Sequence, residues 1–294
     1  MSGAFGLLNV DKPPGMTSRD VVNRVQRLVR GLKVGHAGTL DPLASGVLVL
    51  CLGPATRLVE YIQRMPKRYA GMFLLGRTSD TEDIEGRVTE LANPPRPTHA
   101  QIEAVLGRFT GPIEQRPPAF SALKIGGRRA YELARQGKPV ELEARRIVIH
   151  SIRVVRYAYP ELELDVTCGA GTYLRSLGRD IAAALGTGAV MASLRRTAVG
   201  AFRADDACRL DQLDEATVMR FLLPPAQALA ELPSIRLDAA DIGRLAKGLA
   251  IEDRWATAAP EIAGLDAAGR LAAILGPRGK RHLRPLRNFP IHLE

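Results

Sequence analysis

Cysteine and histidine are scarce in this sequence, and long apolar runs do not occur. The three cysteines, Cys51, Cys168 and Cys208, are widely spaced and form no C-x-x-C pair, so we expect reduced thiols and no disulfide framework. The five histidines form no cluster with one another or with cysteine, which argues against a zinc site. No apolar run reaches the ~20 residues of a membrane span, and the N-terminus lacks a signal-peptide pattern. These absences predict a cytoplasmic protein that holds no metal.

Positive charge is what the sequence has in excess. Lys and Arg number 41 against 31 Asp and Glu, so the 294-residue chain carries a formal net charge of +10. This excess favours a polyanionic partner such as a nucleic acid, although a basic enzyme without such a partner stays open. The 46% of hydrophobic residues is typical of a globular protein. The length suggests about two domains at roughly 150 residues each.

The hydrophobic pattern predicts an α+β fold with a mixed sheet. Apolar residues at helical spacing after Thr17 predict a helix, and strict alternation over residues 162–168 predicts a strand. Three prolines predict a loop over 111–118, alternation predicts two strands over 140–156, and a further helix is predicted over 211–223. Because helices are interspersed irregularly among the strands, a regular βαβ series is not expected.

A second, smaller domain is predicted at the C-terminal end. Pro224 and Pro225 interrupt the preceding pattern, and a boundary is expected before Pro233. The residues beyond it are expected to form a helix over 238–247 and short strands. They include a basic cluster that is either a solvated surface or a nucleic-acid contact: Arg278, Lys280, Arg281, Arg284 and Arg287.

The densest motif is the glycine-rich segment 35–46, GHAGTLDPLASG. Its three glycines allow a constrained loop that a ligand can approach closely. Asp41 is the only carboxylate in this loop, Pro42 directly follows it, and the loop leads into the apolar strand predicted from Val47. A carboxylate among apolar neighbours needs a cation or several hydrogen-bond donors. From the residues alone, Asp41 is either a turn or cap residue or a catalytic group.

Two further segments carry candidate functional residues. In 171–179, GTYLRSLGR, Arg175 and Arg179 share one helix face; they could bind phosphates or hold a carboxylate, and a solvated face is the better interpretation for Arg179. No G-K-[ST] follows the glycines, so a Walker-type nucleotide site is not expected. In Lys67-Arg68-Tyr69, the tyrosine either packs in a strand or stacks on a base beside two cations.

In this order, the motifs resemble those of the bacterial tRNA pseudouridine-55 synthases, the TruB family. Residues 9–18 resemble its K-P-x-G-x-T-S motif, and 35–42 its G-x-x-G-x-L-D motif with the accompanying histidine. Lys67-Arg68-Tyr69 and 171–177 resemble its tyrosine and arginine motifs. Similarity also runs through 116–124 to Tyr131 and Arg135, and it covers about residues 5–200. The C-terminal part resembles a small PUA-like RNA-binding domain only loosely.

The resemblance implies a fold, a reaction and a partner. The catalytic domain would span residues 1–230, with a mixed, largely antiparallel sheet and an RNA-binding insertion at about 124–152, and a PUA-like domain would span 231–294. The enzyme would isomerise uridine to pseudouridine at position 55 in the tRNA T-loop, by cleaving the N1–C1′ bond and rejoining the base through C5. An isomerisation needs no cofactor. A monomer acting on the T-stem-loop is expected.

Three residues would carry the chemistry if the resemblance holds. Asp41 would be the nucleophile, as carboxylates are at other glycosidic carbons. Arg175 would pair with Asp41, orienting it and keeping it ionised. Tyr69 would stack on the target base and help to remove the C5 proton.

Four further residues would bind the substrate or support the site. The target uridine must be flipped out of the folded T-loop, and His36 would stack in the space it leaves. Tyr173 and Leu194 would line the base pocket. Lys12 is the fourth of these residues. We expect it to support the catalytic loop and not to take part in the chemistry.

Two other functions stay open at this point. One is a guide-RNA-dependent pseudouridine synthase of ribonucleoprotein particles, although segment 124–152 resembles the stand-alone bacterial form. The other is a non-catalytic RNA-binding or RNA-folding protein, which has no need of a loop carboxylate facing RNA phosphates. The C-terminal region likewise has two expectations. Either it adds phosphate contacts and is dispensable for folding, or it braces the catalytic domain.

Overall fold

The computed structural model describes residues 5–120, 124–125, 128–129 and 142–290. The helices are α1 (Ser18–Leu28), α2 (Val59–Arg64), α3 (His99–Leu106), α4 (Leu174–Ala184) and α5 (Ala239–Ala246). The strands are β1 (Gly6–Lys12), β2 (Val34–His36), β3 (Ser45–Leu52), β4 (Lys67–Leu75), β5 (Arg77–Ser79), β6 (Val88–Glu90), β7 (Gly111–Gln115), β8 (Lys124–Ile125), β9 (Arg128–Arg129), β10 (Arg145–Ala158), β11 (Glu161–Cys168), β12 (Ala189–Val199), β13 (Phe202–Arg203), β14 (Cys208–Arg209), β15 (Ser234–Arg236), β16 (Ile251–Glu252), β17 (Ile262–Leu265), β18 (Leu271–Arg278) and β19 (His282–Asn288).

A large mixed sheet forms the main body of the protein. Its strand order is β14-β1-β3-β12-β4-β11-β10-β7, with β2 beside β3 and β13 beside β12. The β1–β14 and β3–β12 pairs are parallel, and the other pairs in this sheet are antiparallel. The predicted α+β fold with a mixed, largely antiparallel sheet is therefore confirmed.

Local sequence signals account for several of these elements. Thr17 caps α1 and Thr98 caps α3, each through a reciprocal capping box. In β11 the predicted alternation appears as alternate buried residues, and these pack with the apolar face of α4 in one core. The buried strand predicted from Val47 is β3. These elements bring the loop before β3 and the start of α4 to the same part of the sheet.

Two predictions about strands were wrong. The predicted loop over 111–118 contains β7, in which Pro112 is tolerated because β7 is an edge strand that pairs with β10. The two strands predicted over 140–156 are one strand, β10, whose pairing with β11 shifts register after Ile149 and after Val154. These irregularities interrupt the alternation without ending the strand.

The prediction of a helix over 211–223 was also wrong. The chain forms only 3₁₀ turns at Leu210–Gln212 and Val218–Phe221. The Asp214 carboxylate accepts hydrogen bonds from the backbone N–H groups of Ala216 and Thr217, at 2.8 and 2.7 Å. Such side-chain bonds compete with helical backbone bonds. The apolar residues still reach the core, because Leu213 and Val218 are buried.

Of the predicted RNA-binding insertion, residues 126–127 and 130–141 lie outside the described residues. The described part consists of the paired strands β8 and β9 and the stretch from residue 142 onward. Tyr131 and Arg135 are therefore outside the described residues. The end of the predicted insertion, from Arg145, belongs to β10 and therefore to the main sheet.

A second sheet follows the predicted boundary. Its order is β15-β17-β18-β19-β16, and α5 contacts β19 and β16. Four of the five residues of the basic cluster are exposed on or beside the β18–β19 hairpin. Arg287 differs from them because its guanidinium pairs with Glu60 and lies 5.2 Å from the ring centroid of Tyr61. Arg287 therefore joins the second sheet to α2.

The two sheets share an apolar core. Ile274 and Phe289 belong to the same cluster of buried residues as Leu58 and Ile62. The hydroxyl of Tyr61 donates to a Glu261 carboxylate oxygen at 2.8 Å, which adds a polar contact to the interface. These contacts support the second expectation for the C-terminal region, that of a structural brace.

Truncation after Pro225 is expected to destabilise the protein strongly. The truncation would expose several buried side chains, such as Leu58 and Ile62, and each costs about 1.5–3 kcal/mol when it loses its burial. Domains are stable by only about 5–15 kcal/mol. Thermal melts would therefore show a much lower Tm, or no cooperative transition. A truncated protein that melts like the full chain would support the dispensable alternative.

The three cysteines are buried free thiols. Burial raises the pKa of Cys51 to about 12, and the pKa values of Cys168 and Cys208 to about 11. Because the thiolate is the reactive form, a thiol reagent at pH 8 should label the native protein slowly and all three cysteines after denaturation. Rapid labelling of the native chain would contradict this burial.

Among the described residues, no helix is both long and apolar enough to cross a membrane.

Candidate active site

A cleft of about 370 Å³ opens where the glycine-rich loop meets the centre of the main sheet. The loop contributes residues 38–41, the turn before α4 contributes 169–173, and β4, α4 and β12 supply side chains. Five of the predicted site residues line this cleft: Asp41, Tyr69, Tyr173, Arg175 and Leu194. His36, Lys12 and the basic cluster are not among the lining residues.

The loop that carries Asp41 is held by donors from neighbouring elements. The Ser18 hydroxyl donates to the Leu40 carbonyl at 3.1 Å and accepts from the Leu40 N–H at 2.8 Å. The Pro42 carbonyl accepts from the N–H of Gly15 at 2.9 Å and from Lys12 Nζ at 3.3 Å. The Asp41 side chain remains 39% exposed. The backbone is thus fixed while the carboxylate can be reached from the cleft.

Arg175 connects this carboxylate to the rest of the site. Its side chain is only 6% exposed, and Nη2 lies 3.0 Å from Asp41 Oδ2. Nη1 donates to the Thr81 carbonyl at 2.9 Å, and Nη2 donates to the Phe120 carbonyl at 3.1 Å. Bonds on both arms fix the plane of the guanidinium, which therefore presents one donor group to Asp41 in a set orientation.

Asp83 is a second carboxylate beside Arg175, and the sequence analysis missed it. It is 4% exposed, and its Oδ2 lies 3.7 Å from Arg175 Nη1. Its Oδ1 accepts from the Thr81 hydroxyl at 2.6 Å and from the Glu85 N–H at 3.1 Å. Asp83 lies in an acidic turn, residues 80–85, and nothing in the sequence distinguishes it from its acidic neighbours. The structure places Arg175 between the buried carboxylate of Asp83 and the more exposed carboxylate of Asp41.

Arg179 does not lie on a free solvated face. Its guanidinium pairs with Glu82 and with Asp180, and Nη2 donates to the Arg116 carbonyl at 3.0 Å. The solvated-face interpretation was therefore wrong. Arg179 binds α4 to the acidic turn and to the segment after β7.

Tyr69 and Leu194 lie on adjacent strands at the base of the cleft. Both are 8% exposed, and β4 pairs with β12 so that Leu194 faces Gly71, two residues after Tyr69. Burial raises the pKa of Tyr69, while the nearby Arg196 guanidinium opposes this shift. The phenol is therefore neutral near pH 7, and its ring forms an aromatic wall beside an aliphatic one.

Tyr173 is positioned by a glutamine that the sequence analysis did not single out. Gln115 Nε2 donates to the Tyr173 carbonyl at 3.0 Å, and its Oε1 accepts the Tyr173 N–H at 2.9 Å. Gln115 is 2% exposed and ends β7. The Gln115 amide thus bonds both backbone groups of Tyr173, as the backbone of a neighbouring strand would. Tyr173 lies two residues before Arg175, so this pairing also fixes the start of α4.

Lys12 lies beneath the loop and is fully buried. Its ammonium donates to the carbonyls of Pro13 at 2.9 Å and Met16 at 2.6 Å, in addition to Pro42. Burial lowers its pKa to about 8, a shift that the Asp41 charge opposes. The ammonium group therefore donates its hydrogen bonds to backbone carbonyls, which is consistent with a role in supporting the Asp41 loop.

His36 ends β2 and is half-buried outside the cleft. Burial, together with the charges of Arg19 and Arg196, lowers its pKa. The imidazole is therefore neutral near pH 7, as a ring that stacks on bases would be.

Two buried cations, Lys67 and Arg196, also line the cleft. Lys67 was considered only as one of the cations beside Tyr69, and Arg196 was not predicted as a site residue. Lys67 Nζ donates to the carbonyls of Gln63 and Met65, and burial, with Arg196 nearby, lowers its pKa to about 8. Arg196 is 2% exposed. Within the described ranges, no group of three or more His, Cys, Asp or Glu side chains could hold a metal ion.

Comparison with known proteins gives consistent matches. Residues 26–174 match the family model described as TruB family pseudouridylate synthase (N terminal domain), and residues 175–229 match the tRNA pseudouridylate synthase B C-terminal domain. The chain is 39% identical to tRNA pseudouridine synthase B of Rhodopirellula baltica, over 97% of this chain and 95% of that protein. It is 46% identical to tRNA pseudouridine synthase B of Moorella thermoacetica, over 84% of each.

A solved structure is similar over most of the chain. The crystal structure of a Cbf5-Nop10-Gar1 complex matches with a TM-score of 0.72 and 28% identity, covering 92% of this chain and 78% of that chain. A further match, an H/ACA RNP bound to a substrate RNA, has a TM-score of 0.73 at 24% identity, and covers 98% of this chain and 86% of that chain. The second likeness bears on the fold alone.

Proposed function

Because the chain belongs to the TruB family of pseudouridylate synthases, we propose that the cleft around Asp41 is where it isomerises a tRNA uridine. The enzyme is a pseudouridine synthase that converts uridine to pseudouridine in tRNA. Our proposal adds the target, the T-loop uridine at position 55, and the residues that act on it. The observation that carries it is the Asp41–Arg175 pair, with its 3.0 Å contact at the cleft.

The reaction needs one carboxylate and no external reactant. The N1–C1′ bond breaks, the base turns, C5 bonds to C1′, and the proton that C5 loses is balanced by one that N1 gains. Asp41 acts as the nucleophile at C1′, as carboxylates do at glycosidic carbons. Its exposed fraction of 39% leaves it open to the sugar, while Arg175 holds it from the protein side.

Tyr69 acts on the base through its ring. Its raised pKa keeps the phenol protonated near neutral pH, and a protonated phenol is a poor acceptor for the C5 proton. The structure therefore supports the stacking role of Tyr69 over its role in proton removal. Leu194 and Tyr173 complete the walls against which the flipped uracil lies.

Base flipping follows from the position of Asp41. A base stacked inside a folded T-loop cannot bring its C1′ into the cleft, so the nucleotide must leave the stack. His36 stands outside the cleft on β2, only five residues before Asp41 in the chain. A neutral imidazole at this place is suited to stack where the uridine was.

The guide-RNA-dependent alternative has weaker support. The likeness to the Cbf5 complex, at 28% identity, shows a related fold. The curated relatives at 39–46% identity, which cover most of the chain, are named as tRNA enzymes. A stand-alone enzyme therefore fits better than a subunit that needs a guide.

The decisive experiment uses an unmodified tRNA transcript and no other RNA. Incubation with the enzyme and chemical mapping of pseudouridine should give one product, at the T-loop uridine. A matched transcript with cytidine at that position should give none. Product at another site would refute the proposed target, and product only after addition of a guide RNA would support the alternative.

A further inference from the structure

Arg196 lines the cleft, and the reaction described above gives it no role. It is one of the largest fully buried side chains of the protein, 2% exposed on the central strand β12. Its hydrogen-bond acceptors in the described part of the chain are backbone carbonyls. A buried guanidinium is destabilising unless its donors are satisfied, so the acceptors of Arg196 indicate what the charge is used for.

The guanidinium holds both ends of the loop that carries Asp41. Nη2 donates to the Gly38 carbonyl at 3.0 Å, and Nη1 donates to the Thr39 carbonyl at 3.4 Å. On the far side of Asp41, Nε donates to the Val47 carbonyl at 2.7 Å. One planar group thus fixes the entry and the exit of the loop, which the flexible ammonium of lysine cannot do in the same geometry.

The strand backbone at Arg196 fixes the loop exit as well. Gly46 has a φ of 99° and pairs with Arg196 in the parallel β3–β12 ladder. A Cβ at Gly46 would lie 2.2 Å from the Arg196 carbonyl oxygen. Only glycine permits this approach, so the loop returns to β3 directly over Arg196.

The same side chain faces Tyr69. Arg196 lies opposite Tyr69 in the antiparallel β12–β4 register, and its guanidinium charge opposes the rise that burial causes in the pKa of Tyr69. Arg196 therefore binds the backbone that directs Asp41 and lies on the strand position next to the ring that receives the base. These are the two groups whose relative placement decides whether C1′ and the base are bound correctly.

We propose that Arg196 is a positioning residue that holds the Asp41 loop and Tyr69 in a single arrangement for attack on the uridine. It acts through these two groups and does not take part in bond breaking. The inference rests on the proposed function, because it assigns Asp41 and Tyr69 the roles given above.

Two Arg196 variants and one neighbour test the proposal. Arg196→Gln removes both the charge and the planar set of guanidinium donors. Arg196→Lys keeps the charge and removes the planar donors. Arg195→Gln is the matched control, because Arg195 is 42% exposed and pairs with Asp11 instead of the loop. The readouts are thermal melts, Kd for the tRNA transcript, and the single-turnover rate at saturating enzyme.

We expect the defect of Arg196→Gln to appear in the rate and not in binding. A misplacement of about 1 Å at a reacting group costs roughly 100-fold, so a loss of that size is expected with Kd within a few-fold of wild type. Arg196→Lys should recover part of the rate, and Arg195→Gln should match wild type.

The possible outcomes separate this inference from the proposed function. A folded Arg196→Gln enzyme with the wild-type rate overturns the inference, as does a loss confined to Kd, which would mark a substrate contact. Absence of product with the wild-type enzyme refutes the proposed function instead. If neither variant folds, amide hydrogen exchange of the wild-type protein tests whether the Asp41 loop is held rigidly. Leu40 and Ala44 should exchange as slowly as β3, and free exchange would show that the loop is not held.

Discussion

Replacement of Asp41 by asparagine is expected to abolish pseudouridine formation while leaving tRNA binding within a few-fold of wild type. The amide keeps the size of the side chain and can still accept a hydrogen bond from Arg175, which lies 3.0 Å away. It removes the negative charge that attacks C1′. Loss of a nucleophile typically costs ~10⁴-fold or more in rate, so single-turnover assays with mapped pseudouridine should show no product.

Asp206→Asn provides the control for this substitution. Asp206 is exposed and is not one of the residues that line the cleft, so its variant should retain the wild-type rate and Kd. Substantial turnover by a purified Asp41→Asn enzyme, free of the host synthase, would show that Asp41 is a loop residue without a chemical role. A large loss of binding would instead indicate that the carboxylate holds the RNA.

Much of the fold follows from local signals in the sequence. The capping boxes at Thr17 and Thr98 define where two helices begin, because their side chains satisfy the first backbone N–H groups. The alternation that ends at Cys168 defines β11, because it has one buried face. Each of these signals is complete within a few residues, and the helix after Thr17 and the strand over 162–168 were predicted correctly.

The errors arose where a neighbouring strand or a side chain overrides the local signal. Pro112 favours a loop, yet an edge strand can accommodate it because no strand on the open side needs its N–H. Asp214 binds backbone N–H groups that a helix over 211–223 would have used. Neither effect is visible in the local sequence from which those elements were predicted.

The same limit applies to the site. Family resemblance supplied Asp41, Tyr69 and Arg175, but Gln115 and Arg196 were missed because their contacts join distant parts of the chain. Gln115 and Tyr173 are 58 positions apart, and Arg196 and Gly38 are 158 apart. The sequence around an arginine or a glutamine in a strand does not indicate whether its side chain is buried. Only the sheet order, with β12 between β3 and β4, brings Arg196 to the loop.

The second large effect is expected from Arg175→Lys, a change that keeps the positive charge. Arg175 uses its two terminal nitrogens on Asp41, on the carbonyls of Thr81 and Phe120, and on Asp83. A lysine ammonium can reach some of these partners but cannot hold a fixed plane between them. Asp41 would keep a nearby cation and lose its orientation. Single-turnover assays should therefore show a fall of about 100-fold or more, with Kd for tRNA near wild type.

Arg179→Lys, one turn further along α4, tests whether orientation at Asp41 is the cause. Arg179 also binds carboxylates, but its partners are Glu82 and Asp180 and not Asp41. Its lysine variant should therefore lose some thermal stability and keep most of the rate. If Arg175→Lys retains the wild-type rate, a positive charge at residue 175 is enough for activity and the planar guanidinium is not needed. If both variants lose rate equally, the integrity of α4 is what matters, and the Asp41–Arg175 contact does not explain the activity.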